Sequence, residues 1–227
     1  MHIFSTAAAA VVVLGSFASA AVIPSFPAIT WPQASTPKST ACPAIEFITA
    51  RGTTEPQNGS FTLNPIVKKI TQAVPNTAVY DVVYPANTDF TMGPIIGAKD
   101  LLNHFNSRAT ACPATHFVLA GYSQGAMIVQ RALPSIPAAA AGKIKAVIMF
   151  GNPAFDAAGP SAGGTAKGKG HIGTAITKEW QPKLRDFCNF NDPICAYGSD
   201  ISVHLGYPRS DAAKEAVSFV TGLLRKK

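Results

Sequence analysis

The 227-residue sequence predicts an α/β fold, a mostly parallel sheet covered by helices on both sides. Two observations carry this prediction. Apolar runs of strand length alternate with runs of helical spacing from Ile45 onward. One of the strand-like runs, Phe117–Ala120, then passes through Gly121-Tyr-Ser-Gln-Gly125 into a helix-like run, Ala126–Leu133. Strand, tight turn and helix in that order make G-x-S-x-G readable as a nucleophile elbow, with Ser123 at its apex.

Taken in order, Ile45–Ala50 reads as the first strand, and Pro65–Val74 as a helix with Asn64 as its N-cap. Ala78–Tyr84 is a second strand, stopped by Pro85. Gly93–Ser107 places Ile96, Leu101, Leu102 and Phe105 at helical spacing. The elbow strand is the third, and its helix ends at Pro134. Lys143–Phe150 is a fourth strand, closed by Gly151-Asn-Pro153, and Lys183–Cys188 a fifth. Ser210–Lys227 is a final amphipathic helix with Ala213, Val217, Val220 and Leu224 on one face. Residues 156–173 are rich in Gly, Ala and Lys without a period and read as a surface loop.

Residues 1–20 have the form of a signal peptide: a short apolar core around Val11–Leu14 and a small-residue cleavage pattern, Ala18-Ser19-Ala20. The core is too short to span a bilayer, so no integral membrane association is expected. Residues 21–41, rich in Pro, Ser, Thr and Ala, read as a flexible leader or propeptide. Residues 42–227 then form a single catalytic domain. The formal charge of +7 is dispersed, and no basic stripe with interleaved aromatics is present, which argues against a nucleic-acid partner.

Four cysteines suit an extracellular location and allow three pairings. Cys188 and Cys195 bracket a short turn-like segment, whereas Cys42 and Cys112 each begin a Cys-Pro pair. The expected bridges are therefore Cys42–Cys112 and Cys188–Cys195, contributing about 4 and about 2.5 kcal/mol by loop entropy alone. The spacing does not match paired Cys-x-x-Cys zinc ligands, and neither metal nor organic cofactor is expected.

A serine nucleophile needs a base and an orienting carboxylate. In this fold they follow in the order acid, then histidine. Only His171 and His204 follow Ser123, and His204 stands just before the last helix. Among the acids ahead of it, Asp192 lies inside the Cys188–Cys195 loop, where it can be held rigidly; Asp186 lies within a strand. Asn-Asp-Pro is also plain turn chemistry. Oxyanion donors are expected at the Gln124 N–H and at Thr53, in the turn Arg51-Gly-Thr-Thr-Glu55.

These residues together resemble the cutinase family of serine esterases. The likeness runs through Cys42-Pro, Ala50-Arg-Gly-Thr-Thr-Glu55, Cys112-Pro, Gly121-Tyr-Ser-Gln-Gly-Ala126, Gly151-Asn-Pro153, Cys188-Asn-Phe-Asn-Asp-Pro-Ile-Cys195 and His204. It implies a three-layer α/β/α sandwich, a small lidless α/β-hydrolase with a five-stranded central sheet. It further implies nucleophile Ser123, base His204, acid Asp192, and oxyanion donors Thr53 and Gln124. Thr53 stands where many cutinases carry Ser. The Cys195-to-His204 spacing is also slightly shorter than in well-known fungal cutinases.

The expected function is a secreted, monomeric esterase acting on cutin, short-to-medium acyl esters and aliphatic polyesters. Phe90, Met92, Tyr122, Ile201, Val203 and Leu205 are the expected substrate-binding residues. The runner-up is an acetylxylan esterase, whose well-known members carry more cysteines. A non-catalytic surface-binding protein on a hydrolase scaffold is a third reading. Asn58-Gly-Ser60 is the only N-x-[ST] sequon, making Asn58 a glycan acceptor.

Overall fold

The computed structural model describes residues 42–172 and 176–226. The expected signal peptide and leader, 1–41, lie outside the described residues. The elements are β1 (Ile45–Ala50), α1 (Leu63–Ala73), β2 (Thr77–Asp81), α2 (Met92–Ala111), β3 (His116–Tyr122), α3 (Gln124–Ala132) and α4 (Ala138–Ala141). β4 (Ile144–Phe150), β5 (Ala162–Gly164), β6 (Leu184–Cys188), α5 (Ile201–Leu205) and α6 (Asp211–Arg225) follow.

All strand pairs are parallel, in the order β2-β1-β3-β4-β6-β5. The two-residue period of the strands sends side chains to two separate cores. Ile48, Leu119, Val147 and Met149 pack with Leu101 and Phe105 of α2 and with Ile128 and Val129 of α3. Phe47, Val118, Ile148 and Phe150 pack with Ile66 and Ile70 of α1 and with Ala216 and Val220 of α6. Both faces are covered, so β1, β3 and β4 read as nearly continuous apolar runs. The chain leaves β1 for β2 on one side and returns to β3 on the other. Strand order therefore reverses between β1 and β3, the place where α/β sheets open a crevice at their carboxyl ends.

Six strands stand where five were expected. The extra one, β5, lies within residues 156–173, expected as a loop. Its Ala-Gly-Gly backbone pairs with Asp186–Cys188 of β6 and carries almost no side chains from which a strand period could be read. β2 is shorter than expected, ending at Asp81. Asn64 is not the N-cap of α1; that helix begins at Leu63. Its first N–H groups are taken instead by Ser60 Oγ, which accepts from Leu63, and by the Glu55 carboxylate, which accepts from Thr62.

α2 is held to the sheet by one buried charge. The Glu46 carboxylate of β1 meets His104 Nε2 at 2.6 Å and Arg108 Nε at 2.9 Å. Burial alone would raise the Glu46 carboxyl, but these two partners hold it below the usual carboxylate range. The disulfides are Cys42–Cys112 and Cys188–Cys195, as expected.

Candidate active site

Ser123 occupies the turn between β3 and α3 with φ 54° and ψ −117°. Such a backbone state costs a non-glycine residue on the order of 1–3 kcal/mol and persists only where its surroundings impose it. Here its N–H donates to Phe150 O of β4 at 2.9 Å, and its carbonyl accepts from Ala126 N at 2.9 Å. A Cβ on Gly125 would lie 1.9 Å from Ala50 O, so only glycine lets α3 start against the end of β1. The Ser123 side chain makes no capping bond to α3, which leaves its hydroxyl for other chemistry.

His204 lies in the five-residue helix α5, capped by Asp200, whose carboxylate accepts from Ser202 N at 2.9 Å. The ring is buried against the end of β4: a Cβ on Gly151 would lie 2.6 Å from His204 Cε1. The His204 carbonyl accepts from Tyr122 Oη at 3.0 Å, so the residue preceding Ser123 fixes the backbone of the histidine. The structure thus brings Ser123 and His204 to the same edge of the sheet.

Asp192 is fully buried within the small disulfide loop. His204 Nδ1 lies 2.9 Å from its Oδ2 and 3.1 Å from its Oδ1. Ile194 N and Cys195 N donate to Oδ1, and Tyr207 Oη donates to Oδ2 at 2.8 Å. Burial alone would raise the Asp192 carboxyl; the His204 partner and the surrounding donors outweigh it and hold the group below the usual carboxylate range. Burial and the Asp192 charge push the Tyr207 phenol in the opposite direction, so it remains a donor. His171 stays outside this arrangement. Its Nε2 lies 2.9 Å from Pro193 O, bracing the disulfide loop from outside.

The expected oxyanion residues stand just past the carboxyl ends of β1 and β3. Gln124 is the first residue of α3, where N–H groups have no partner within the helix and the helix dipole is positive. Its side chain is spent elsewhere, with Nε2 donating to Asn87 O at 2.9 Å and Asp89 O at 3.3 Å. The Thr53 hydroxyl is buried with no hydrogen-bond partner among the described residues. Phe90, Met92, Ile201 and Leu205 are exposed, and Val203 is half-buried. Tyr122 departs from its expected place in the pocket wall: it is buried, with its hydroxyl engaged by His204 O.

Two participants had no assigned role in the sequence reading. Tyr207 follows His204 by three residues and anchors the carboxylate of Asp192. Asn152, fully buried in the turn after β4, donates from Nδ2 to Gln130 Oε1 at 2.7 Å and to Asp186 Oδ2 at 2.9 Å. The first is marked only by a Gly-Tyr-Pro turn, the second by Gly-Asn-Pro, and neither pattern names a partner.

Asp186, the other acid considered, accepts from Asn152, and among the described residues its Oδ1 has no partner. Burial pushes its carboxyl up to about 7. A folded-state value above the unfolded one favours folding at low pH, and that contribution is lost as pH rises through about 7. Asp186→Asn is therefore expected to flatten the stability difference between pH 5 and pH 8, by up to about 3 kcal/mol. Urea melts at the two pH values measure it; an unchanged difference would show that Asp186 is not the group responsible.

Fold and site together define an α/β hydrolase. A family model described as Cutinase matches residues 41–224, and the chain belongs to the cutinase family. Phospholipase Culp4 of Mycobacterium tuberculosis is 35% identical over 187 residues, covering 78% of this chain and 77% of that one. The catalytic core domain of acetyl xylan esterase from Trichoderma reesei superposes with a TM-score of 0.75 at 28% identity, over 81% of this chain and 100% of that one. The Trichoderma reesei cutinase in complex with a C11Y4 phosphonate inhibitor gives a TM-score of 0.63 at 30% identity, over 81% and 77%.

Proposed function

We propose that this carboxylic ester hydrolase works through an acyl-enzyme formed on Ser123. The buried His204–Asp192 pair beside the strained serine turn carries the reading. With Nδ1 engaged by the carboxylate, Nε2 is the basic nitrogen that takes the Ser123 proton during attack. His204 returns this proton to the leaving alcohol, and water then repeats the cycle on the acyl-enzyme. The Gln124 N–H and the Thr53 N–H and hydroxyl receive the charge of the tetrahedral intermediate.

The substrate reading is cutin, short-to-medium acyl esters and aliphatic polyesters. Supporting it, Phe61, Phe90, Met92, Ile95, Phe190, Tyr197, Ile201 and Leu205 are all exposed. All stand in segments that follow the carboxyl ends of β1, β2 and β6, the edge that carries Ser123. An apolar rim of this kind suits an aliphatic chain better than an acetylated sugar. Each methylene buried contributes about 0.8 kcal/mol, so kcat/KM is expected to rise about tenfold from p-nitrophenyl acetate to butyrate. A preference for acetate, with turnover of acetylated xylan and none of cutin, would establish the acetylxylan esterase reading that the Trichoderma neighbour favours.

The two disulfides support an oxidising, extracellular setting reached through the signal peptide at residues 1–20. Among the described residues no helix is long and apolar enough to cross a membrane. Asn58 is exposed and would carry its glycan outward.

A further inference from the structure

Arg51 follows β1 directly and precedes Gly52 and Thr53. It is only 8% exposed, yet among the described residues it makes no ion pair. Its donors go to main-chain carbonyls instead: Nε to Glu55 O at 2.7 Å, Nη1 to Val82 O at 3.3 Å and Nη2 to Tyr84 O at 2.7 Å. The guanidinium lies over the Tyr84 ring, 4.6 Å from its centroid, and Tyr84 Oη donates back to Arg51 O. One planar fork thus joins the end of β1, the far side of the turn at Glu55, and the exit of β2.

A buried cation that touches no carboxylate, with Asp81 and Glu55 acting on it only from a distance, is an expensive way to hold three loops together, and apolar packing would serve stability as well. The fork does something packing cannot: it sets the direction of the carbonyls that bracket Gly52 and Thr53. The turn is drawn in from its other side too, where the Glu55 carboxylate accepts from Gly52 N at 2.7 Å and Thr54 N donates to Ala86 O. A lysine, with a single flexible ammonium, cannot reproduce the three-point fork.

We propose that Arg51 is the positioning residue of the oxyanion-binding turn, holding Thr53 in line with the Gln124 N–H through the carbonyls of Glu55, Val82 and Tyr84. The inference rests on the reading of Thr53 and Gln124 as oxyanion donors. Arg51 touches neither substrate nor reacting atoms; it acts on the transition state through Thr53.

The test measures kcat and KM on p-nitrophenyl butyrate for Arg51→Ala and Arg51→Lys, normalised to serine titrated by a fluorophosphonate, with thermal melts alongside. Displacement of an oxyanion donor is expected to lower kcat per titrated site about 100-fold in Arg51→Ala and at least tenfold in Arg51→Lys, with KM within about threefold. Ethylguanidinium at about 20 mM, far below denaturing concentration, is expected to restore Arg51→Ala at least tenfold, whereas ethylammonium is not. A purely structural arginine would lower the melting temperature and the titratable fraction while leaving kcat per site unchanged. Kinetics of Arg51→Lys within threefold of the parent overturn the inference while leaving the esterase reading intact, and that variant decides the matter should Arg51→Ala not fold. A parent protein without esterase activity overturns the reading and the inference together.

Discussion

Ser123→Ala is expected to lower kcat on p-nitrophenyl butyrate by about 10⁶-fold, to the level supplied by the oxyanion donors and substrate binding alone. The size of the effect follows from the elbow. Ser123 is held at positive φ by β4 and by the first turn of α3, and its side chain makes no local bond that an alanine would lose. The fold therefore tolerates the change, and the thermal melt should move little. KM should also move little, because the rim that holds the acyl chain is untouched. Fluorophosphonate labelling must vanish with the activity. Butyrate turnover retained above about 1% of the parent would remove Ser123 from the nucleophile role and sink the acyl-enzyme reading.

Asp192→Asn is the second large effect, expected at about 10⁴-fold in kcat near neutral pH. The loss is not one of packing, since the two side chains have the same shape. Asp192 receives donors on every side: Ile194 N, Cys195 N, Tyr207 Oη and His204 Nδ1. An asparagine has one acceptor oxygen for them. With that oxygen turned to the two backbone N–H groups, its NH₂ faces His204 and drives the ring proton to the other nitrogen. The imidazole then presents N–H rather than a lone pair to Ser123. Full activity of Asp192→Asn at pH 7 would show that the pair is structural. Together with inactive Ser123→Ala, a damaged Asp192→Asn identifies one functional unit rather than two independent residues.

Much of this arrangement was legible because it depends on order and local pattern. The alternation of strand and helix periods placed β1, β3, β4 and β6 close to their observed bounds. Chain order left His204 as the base candidate, and the short spacing of Cys188 and Cys195 placed Asp192 in a closed loop. Propensity misjudged what lacks a side-chain signal. β5 is Ala-Gly-Gly and exists because β6 offers it an unpaired edge. The start of α1 is capped from Ser60 and Glu55, earlier in the chain than the expected Asn64.

The chemistry lies in the chain alone: a serine at a turn only glycines permit, the residues able to serve it, and four cysteines spaced to pair. These are properties of residue type and spacing, which survive without coordinates. How the residues are held comes from the folded arrangement. Tyr122 supports the His204 backbone, Tyr207 supports Asp192, Asn152 meets Asp186, and Arg51 clasps the turn at Thr53. The reason is physical. Each of these contacts joins segments distant in the chain or separated by a turn, and a hydrogen bond of about 3 Å depends on where the sheet places both ends. No periodicity or motif encodes that placement.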